Sequence, residues 1–297
     1  MIGTMRNLSI QKEMKNIRII PRLDIKGPNL VKGIHLEGLR VLGKPEDFAQ
    51  FYYENGADEL MFIDVVASLY ERNSLHDIIT KTAKKIFIPL TVGGGIRTID
   101  DIKNVLRAGA DKVSLNTAAI NNPNIIREAS LKFGSSTIVV TIEVIKSNDG
   151  KYLAYTDNGR EYTGIDALEW AKKVEELGAG EIVLTSVDRE GTGNGYDLEL
   201  INLVASSVSI PVIAHGGPGK LSDISNAVNN NADAVAISSI LHYDFIKKNI
   251  SDGHTENEGN TEFLKSGKTF GKIETTSLPN IKAYLIKNNI ATRQIDL

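Results

Sequence analysis

The sequence repeats itself at a fixed offset, and this constrains the fold more than any other feature. IPLTVGGGIRTIDDIKNVLRAGADKVSLNTAAI, from Ile88, aligns without a gap to IPVIAHGGPGKLSDISNAVNNNADAVAISSILH, from Ile210, an offset of 122 (210 less 88). GADEL at Gly56 falls on GAGEI at Gly178 with the same offset, and RIIPRLDIK resembles STIVVTIEVIK, placing Asp24 on Glu143. The chain is two similar halves, and repeats of this kind bury their apolar faces only against one another.

Eight β-branched runs predict strands: Ile17 to Leu23, Glu59 to Val65, Ile88 to Val92, Lys112 to Leu115, Thr137 to Glu143, Glu181 to Val187, Pro211 to Ala214 and Ala234 to Ser238. Amphipathic stretches such as TIDDIKNVLRAGA and GIDALEWAKKVEELGA lie between them, many ending at or near a Gly. Alternation of strand and helix calls for a parallel sheet, open or closed. Duplication selects closure: an α/β fold, a single (β/α)8 TIM barrel built from two (βα)4 half-barrel repeats. Residues 1–16 read as an N-terminal arm, and 17–297 as the barrel. A polar insertion at 247–272 precedes the last helix, LPNIKAYLIKNN, and is expected on the helix-bearing side. Arm and insertion removed, 297 residues become 255, close to the ~250 typical of one such barrel.

Composition excludes several classes. With 34 Lys and Arg against 37 Asp and Glu, and no long basic block, nucleic acid is not an expected partner. No Cys is present, so thiolate, disulfide and Cys-ligated metal chemistry are absent, which fits a cytoplasmic location. No run nears the ~18 apolar residues of a membrane span. The 5 His show no ligand spacing, so neither metal nor cofactor is expected.

Barrel enzymes work at the carboxyl ends of their strands. Asp24 and Glu143 end the first and fifth strands and face each other across the ring. That suits acid–base chemistry if one is protonated and the other ionised, although strand-end carboxylates also cap loops or pair with Lys26 and Lys32. Gly93, Gly94 and Gly95 with Asn116 and Thr117 end strands three and four; Gly216 and Gly217 with Ser238 and Ser239 end strands seven and eight. Glycines let backbone amides approach an anion, so the duplication predicts a ligand with a phosphate at each end. At the opposite end stand Arg18, Glu59, Lys112 and Glu181, either as solvated strand-end charges or as a neutralising ring.

DIKGPNLVKG, LTVGGGIR, GADKVSLNTAA, TGIDALEWAKKVEELGAGEIVLTSVDREGTGNGYDLEL and IPVIAHGG resemble the cyclase subunit of imidazole glycerol phosphate synthase, the HisF family of histidine biosynthesis. The resemblance covers about residues 17 to 245 and the last helix. It implies a lyase that takes N′-phosphoribulosyl-formimino-aminoimidazole-carboxamide ribonucleotide, a bisphosphate, to imidazole glycerol phosphate and aminoimidazole carboxamide ribotide. Ammonia would come from a separate glutaminase subunit through the barrel floor. By motif, Asp24 and Glu143 would be catalytic, while Lys32 and Thr185 would contact substrate. Gly94, Gly95, Asn116 and Thr117 would hold one phosphate, and Gly191, Gly216, Gly217, Ser238 and Ser239 the other. Arg18, Glu59, Lys112 and Glu181 would form an ammonia gate, with Asp111 at the partner interface.

The chain departs from the family pattern at several places. Glu143 and Glu190 stand where Asp is usual, Arg22 and His215 where a small residue is usual, and the 247–272 insertion is atypical. These changes are expected to reshape the active face and to leave both phosphate pockets and the gate intact. They also keep open two other readings: delivery of ammonia to another acceptor, such as a surface-polysaccharide sugar, and a non-catalytic barrel that regulates a glutaminase.

Overall fold

A computed structural model describes residues 15–67, 75–250 and 272–294. In chain order the strands are β1 (Arg18–Lys26), a hairpin of β2 (Asn29–Ile34) and β3 (Glu37–Gly43), then β4 (Leu60–Asp64), β5 (Leu90–Gly93), β6 (Lys112–Leu115) and β7 (Ile138–Lys146). A second hairpin, β8 (Tyr152–Thr156) and β9 (Glu161–Asp166), precedes β10 (Glu181–Ser186), β11 (Val212–His215) and β12 (Ala234–Ile237). Eight of these pair in parallel in the order β1, β4, β5, β6, β7, β10, β11, β12, and β12 returns to β1 with Arg18 opposite Ala234. The ring is closed, as the repeat requires. All eight expected strands are present, and their near-continuous apolar runs reflect burial on both faces.

Ten helices are described: α1 (Pro45–Glu54), α2 (His76–Ala83), α3 (Ile99–Ala108), α4 (Thr117–Asn121), α5 (Asn124–Phe133), α6 (Ala167–Glu176), α7 (Leu198–Ala205), α8 (Leu221–Asn229), α9 (Ser239–Ile250) and α10 (Leu278–Lys287). Helix starts carry the repeat. Asp101 accepts the Arg97 and Thr98 amides at 3.0 and 2.9 Å before α3, and Asp223 accepts those of Gly219 and Lys220 at 2.8 and 3.1 Å before α8. Their apolar faces cover the outside of the ring, while Ile20, Met61, Val139, Val183, Ile213, Ala234 and Ala236 fill its interior.

Both hairpins were missed by strand counting, and both belong to the repeat. His35 and Leu36 take φ of 53° and 61°, and Asp157 and Asn158, 122 positions on, take 54° and 61°. Two successive positive φ values are what a two-residue type I′ turn demands. Each tip crosses the barrel mouth to the other half. The His35 amide donates to Glu190 O at 3.0 Å, and the Asn158 side-chain amide donates to Val65 O.

Of the expected arm, Lys15 pairs with Asp233 at 2.7 Å, and residues 1–14 lie outside the described residues. The expected insertion also changes at its ends. Residues 247–250 continue α9, and 251–271 lie outside the described residues. Where description resumes, the Glu274 amide donates to Gly219 O at 2.7 Å, and a Cβ on Gly193 would stand 2.8 Å from Lys272 O. Both glycines follow barrel strands at their carboxyl ends, so this flank sits at the mouth and not on the helix-bearing side.

Candidate active site

Alternation along β1 turns Arg18, Arg22 and Asp24 inward. Asp24 and Glu143, 2% and 5% exposed, lie two and three residues before the ends of β1 and β7, beneath the mouth. Asp24 Oδ1 accepts from Arg22 Nε at 2.9 Å, and Oδ2 lies 3.7 Å from Lys32 Nζ. Lys32 itself pairs with Glu190, whose Oε2 also accepts the Leu36 amide at 3.0 Å. Arg22 reaches round the ring to β11 and β10, where Nη1 meets His215 Nδ1 at 3.0 Å and Thr185 Oγ1 at 3.5 Å.

These surroundings separate the two carboxyls. Burial would raise Asp24, but the Arg22 and Lys32 charges outweigh it and hold the carboxyl below its ordinary value. Glu143 is dominated by burial, which lifts it to about 7 despite Arg22 and the Gly159 amide, a donor to Oε2 at 2.9 Å. Near neutrality one carboxyl is ionised and the other can carry a proton, the division of roles that acid–base catalysis needs. Burial likewise lowers Lys32 to about 8 and drives His215 well below its ordinary value, so the imidazole is neutral beside Arg22.

The first cradle opens into a cavity of about 260 Å³, lined by Arg22 and Glu143 and by Gly94, Gly95, Asn116 and Thr117. The second brings Gly191, Gly216, Gly217, Ser238 and Ser239 together with Glu190 and His215 around only about 10 Å³. Glycine is required in equivalent places: a Cβ on Gly94 would stand 2.2 Å from Asp64 O, and one on Gly216, 122 residues on, 2.6 Å from Ser186 O. The larger side chains of Glu190 and His215 line the narrower cradle, so the expectation of two pockets left unaltered holds less well there. Ser238 Oγ donates to Arg22 O at 2.8 Å, and Thr185 stands below the cradle on His215 at 3.2 Å.

At the floor the four charges form the ring. Arg18 Nη1 reaches Glu59 and Glu181 at 2.5 and 2.7 Å, and Lys112 Nζ reaches the same two carboxylates at 3.0 Å each. Asp111 is exposed with Oδ2 on the Leu90 amide at 2.8 Å, a bond that Asp58 repeats on Ile19 and Asp233 on Val212. This contact serves strand register whatever else Asp111 does. Among the described residues no group of three or more His, Asp or Glu is placed to hold a metal, and no helix is long and apolar enough to cross a membrane.

Every expected site residue thus lies among the described residues. What sequence reasoning did not see is that three of the departures interlock: Arg22 with His215, and Glu190 with Lys32 beside Asp24. It also missed the Asp157, Asn158 and Gly159 tip over the first cavity, although DNG between YLAYT and EYTGID carries a hairpin signal.

Comparison with known proteins agrees with this geometry. The profile of the family described as Histidine biosynthesis protein matches residues 18–247. A protein of Legionella pneumophila named imidazole glycerol phosphate synthase subunit HisF is 57% identical, over 71% of this chain and 99% of its own. Proteins of the same name from Methanocaldococcus jannaschii and Alkaliphilus metalliredigens are 51% and 46% identical, each over 76% of this chain and 90% of its own.

Proposed function

The chain belongs to the HisF family of histidine biosynthesis proteins and has the lyase role of the cyclase in imidazole glycerol phosphate synthase, and we propose that Asp24 and Glu143 carry the chemistry as base and acid. The observation that carries this reading is the pair itself: two buried carboxyls at facing strand ends, one held ionised by Arg22 and one lifted to about 7 by burial. Ring closure by incoming nitrogen requires that nitrogen to lose protons while a departing group gains one. Ionised Asp24 takes the first kind of proton and protonated Glu143 supplies the second.

The substrate in this reading is the bisphosphate of the family, one phosphate on the Gly94 and Gly95 amides with Asn116 and Thr117, the other on Gly191, Gly216 and Gly217 with Ser238 and Ser239. Positive φ at the strand-end glycines supports backbone approach to both anions. The partner is a glutaminase subunit docked below the floor ring, with Asp111 at its edge. Ammonia passes Arg18, Glu59, Lys112 and Glu181 and rises along the barrel axis to the carboxyls. The arm, barrel and insertion form one functional unit, working in the cytoplasm without a cofactor.

The test is consumption of the bisphosphate by the purified chain with ammonium salt, beside an Asp24→Asn control. Turnover that the control lacks supports the reading, and rates equal in both proteins overturn the role of Asp24. Growth of a histidine auxotroph carrying the gene separates this acceptor from any other.

A further inference from the structure

We propose that Arg22 is a positioning residue for Asp24 and that His215 holds Arg22 in place; this rests on the acid–base reading above. Arg22 and Asp24 are two residues apart on β1, so both side chains enter the same interior. The Arg22 guanidinium is 1% exposed and tied at both ends, by Nε to Asp24 Oδ1 at 2.9 Å and by Nη1 to His215 Nδ1 at 3.0 Å. A planar guanidinium held between its own strand β1 and β11, two strands round the ring, cannot swing away. Asp24 Oδ1 is therefore pinned, and Oδ2 is left as the edge that meets substrate.

Every charged neighbour of Asp24 has another commitment. Lys32, from β2, pairs with Glu190 in the loop after β10. His242, from α9, bonds Arg22 O through Nε2 at 3.1 Å and Tyr52 Oη through Nδ1 at 2.6 Å; burial takes it to about 3, so it is neutral. Asp64, on β4, turns its Oδ1 to the Val66 and Ala67 amides at 3.1 and 3.0 Å. Strand β12 offers no titratable group, Glu143 stands across on β7, and His215 on β11 is neutral. Arg22 thus makes the shorter of the two cation contacts to Asp24, 2.9 Å at Oδ1 against 3.7 Å from Lys32 to Oδ2, and Lys32 is shared with Glu190. A neutral His215 accepts from Arg22 without adding a charge that would compete with Asp24 for it.

The test follows the Asp24 carboxyl by carbon-13 NMR, assigned with Asp24→Asn, together with kcat/KM against pH, in the wild type and four variants. In Arg22→Met the Asp24 titration and the acid limb should both move up by about one pH unit or more, the size of effect expected on removing an adjacent opposite charge. Arg22→Lys should recover part of that shift. His215→Leu should move both readouts the same way by less, and His215→Gln, which keeps an acceptor, should stay near the wild type. Unmoved titration and limb in folded Arg22→Met, with only kcat lowered, would reduce Arg22 to packing and overturn the proposal. If Arg22→Met does not fold, the same two readouts in Arg22→Lys and His215→Leu decide. A wild type without turnover removes the acid–base reading, while the NMR titration still decides whether Arg22 positions Asp24.

Discussion

At the scale of single residues, the two carboxyls differ in environment far more than in sequence. Both lie near the carboxyl end of the first strand of their half, yet Asp24 is bonded to a guanidinium and Glu143 to a backbone amide. The pH dependence follows with its sign. In the proposed role Asp24 acts when ionised, so activity should be lost as pH falls through a value below the ordinary carboxylate range. In the proposed role Glu143 acts when protonated, so activity should be lost as pH rises through about 7. Steady-state kcat/KM should therefore be bell-shaped, and Glu143→Gln should remove the alkaline limb along with about 10²-fold or more of the rate. Glu143→Asp restores the residue usual in the family and is expected to keep or raise turnover in the same assay. A loss near 10²-fold there would mean that the site is built around the longer side chain.

Secondary-structure elements show how much of the site was legible. The eight strands could be read because each is a β-branched run in a strict rhythm, and the cradles because glycines recur 122 residues apart. The hairpins were hidden for two reasons. HL in the first turn carries no turn signal, and β9 alternates over a half-exposed surface that resembles a loop. Leu36 holds φ of 61° because the Glu190 carboxylate and backbone grip the turn, a tertiary contact that no local pattern displays. The interlocking of Arg22, Glu190 and His215 was invisible in the same way, since their separations along the chain exceed any motif. Gly94 tests the element scale. In Gly94→Ala the new methyl meets Asp64 O, and urea unfolding should show a loss of about 1–3 kcal/mol with weaker substrate binding.

The whole molecule is a ring with two ends of different character. The floor alternates Arg18, Glu59, Lys112 and Glu181 as a closed circuit, an apolar layer follows, and the charged network around Asp24 stands at the top. Floor side chains are 8–23% exposed, between a surface pair and a buried one. Glu181→Gln should accordingly cost about 1–3 kcal/mol in denaturant unfolding, more than a surface pair and less than a fully buried one. Duplication explains why both ends share one axis: the strands that start in the ring finish at the cradles and carboxyls. In the proposed mechanism this barrel closes an imidazole ring with Asp24 taking a proton from the incoming nitrogen and Glu143 giving one to the departing group. Ammonia-dependent turnover of the bisphosphate by the purified chain, measured against pH beside Asp24→Asn, tests it most directly. A bell falling on its alkaline side near 7 is expected, with at least about 10²-fold loss in the variant; equal rates in the two proteins, or no turnover in either, would contradict the mechanism.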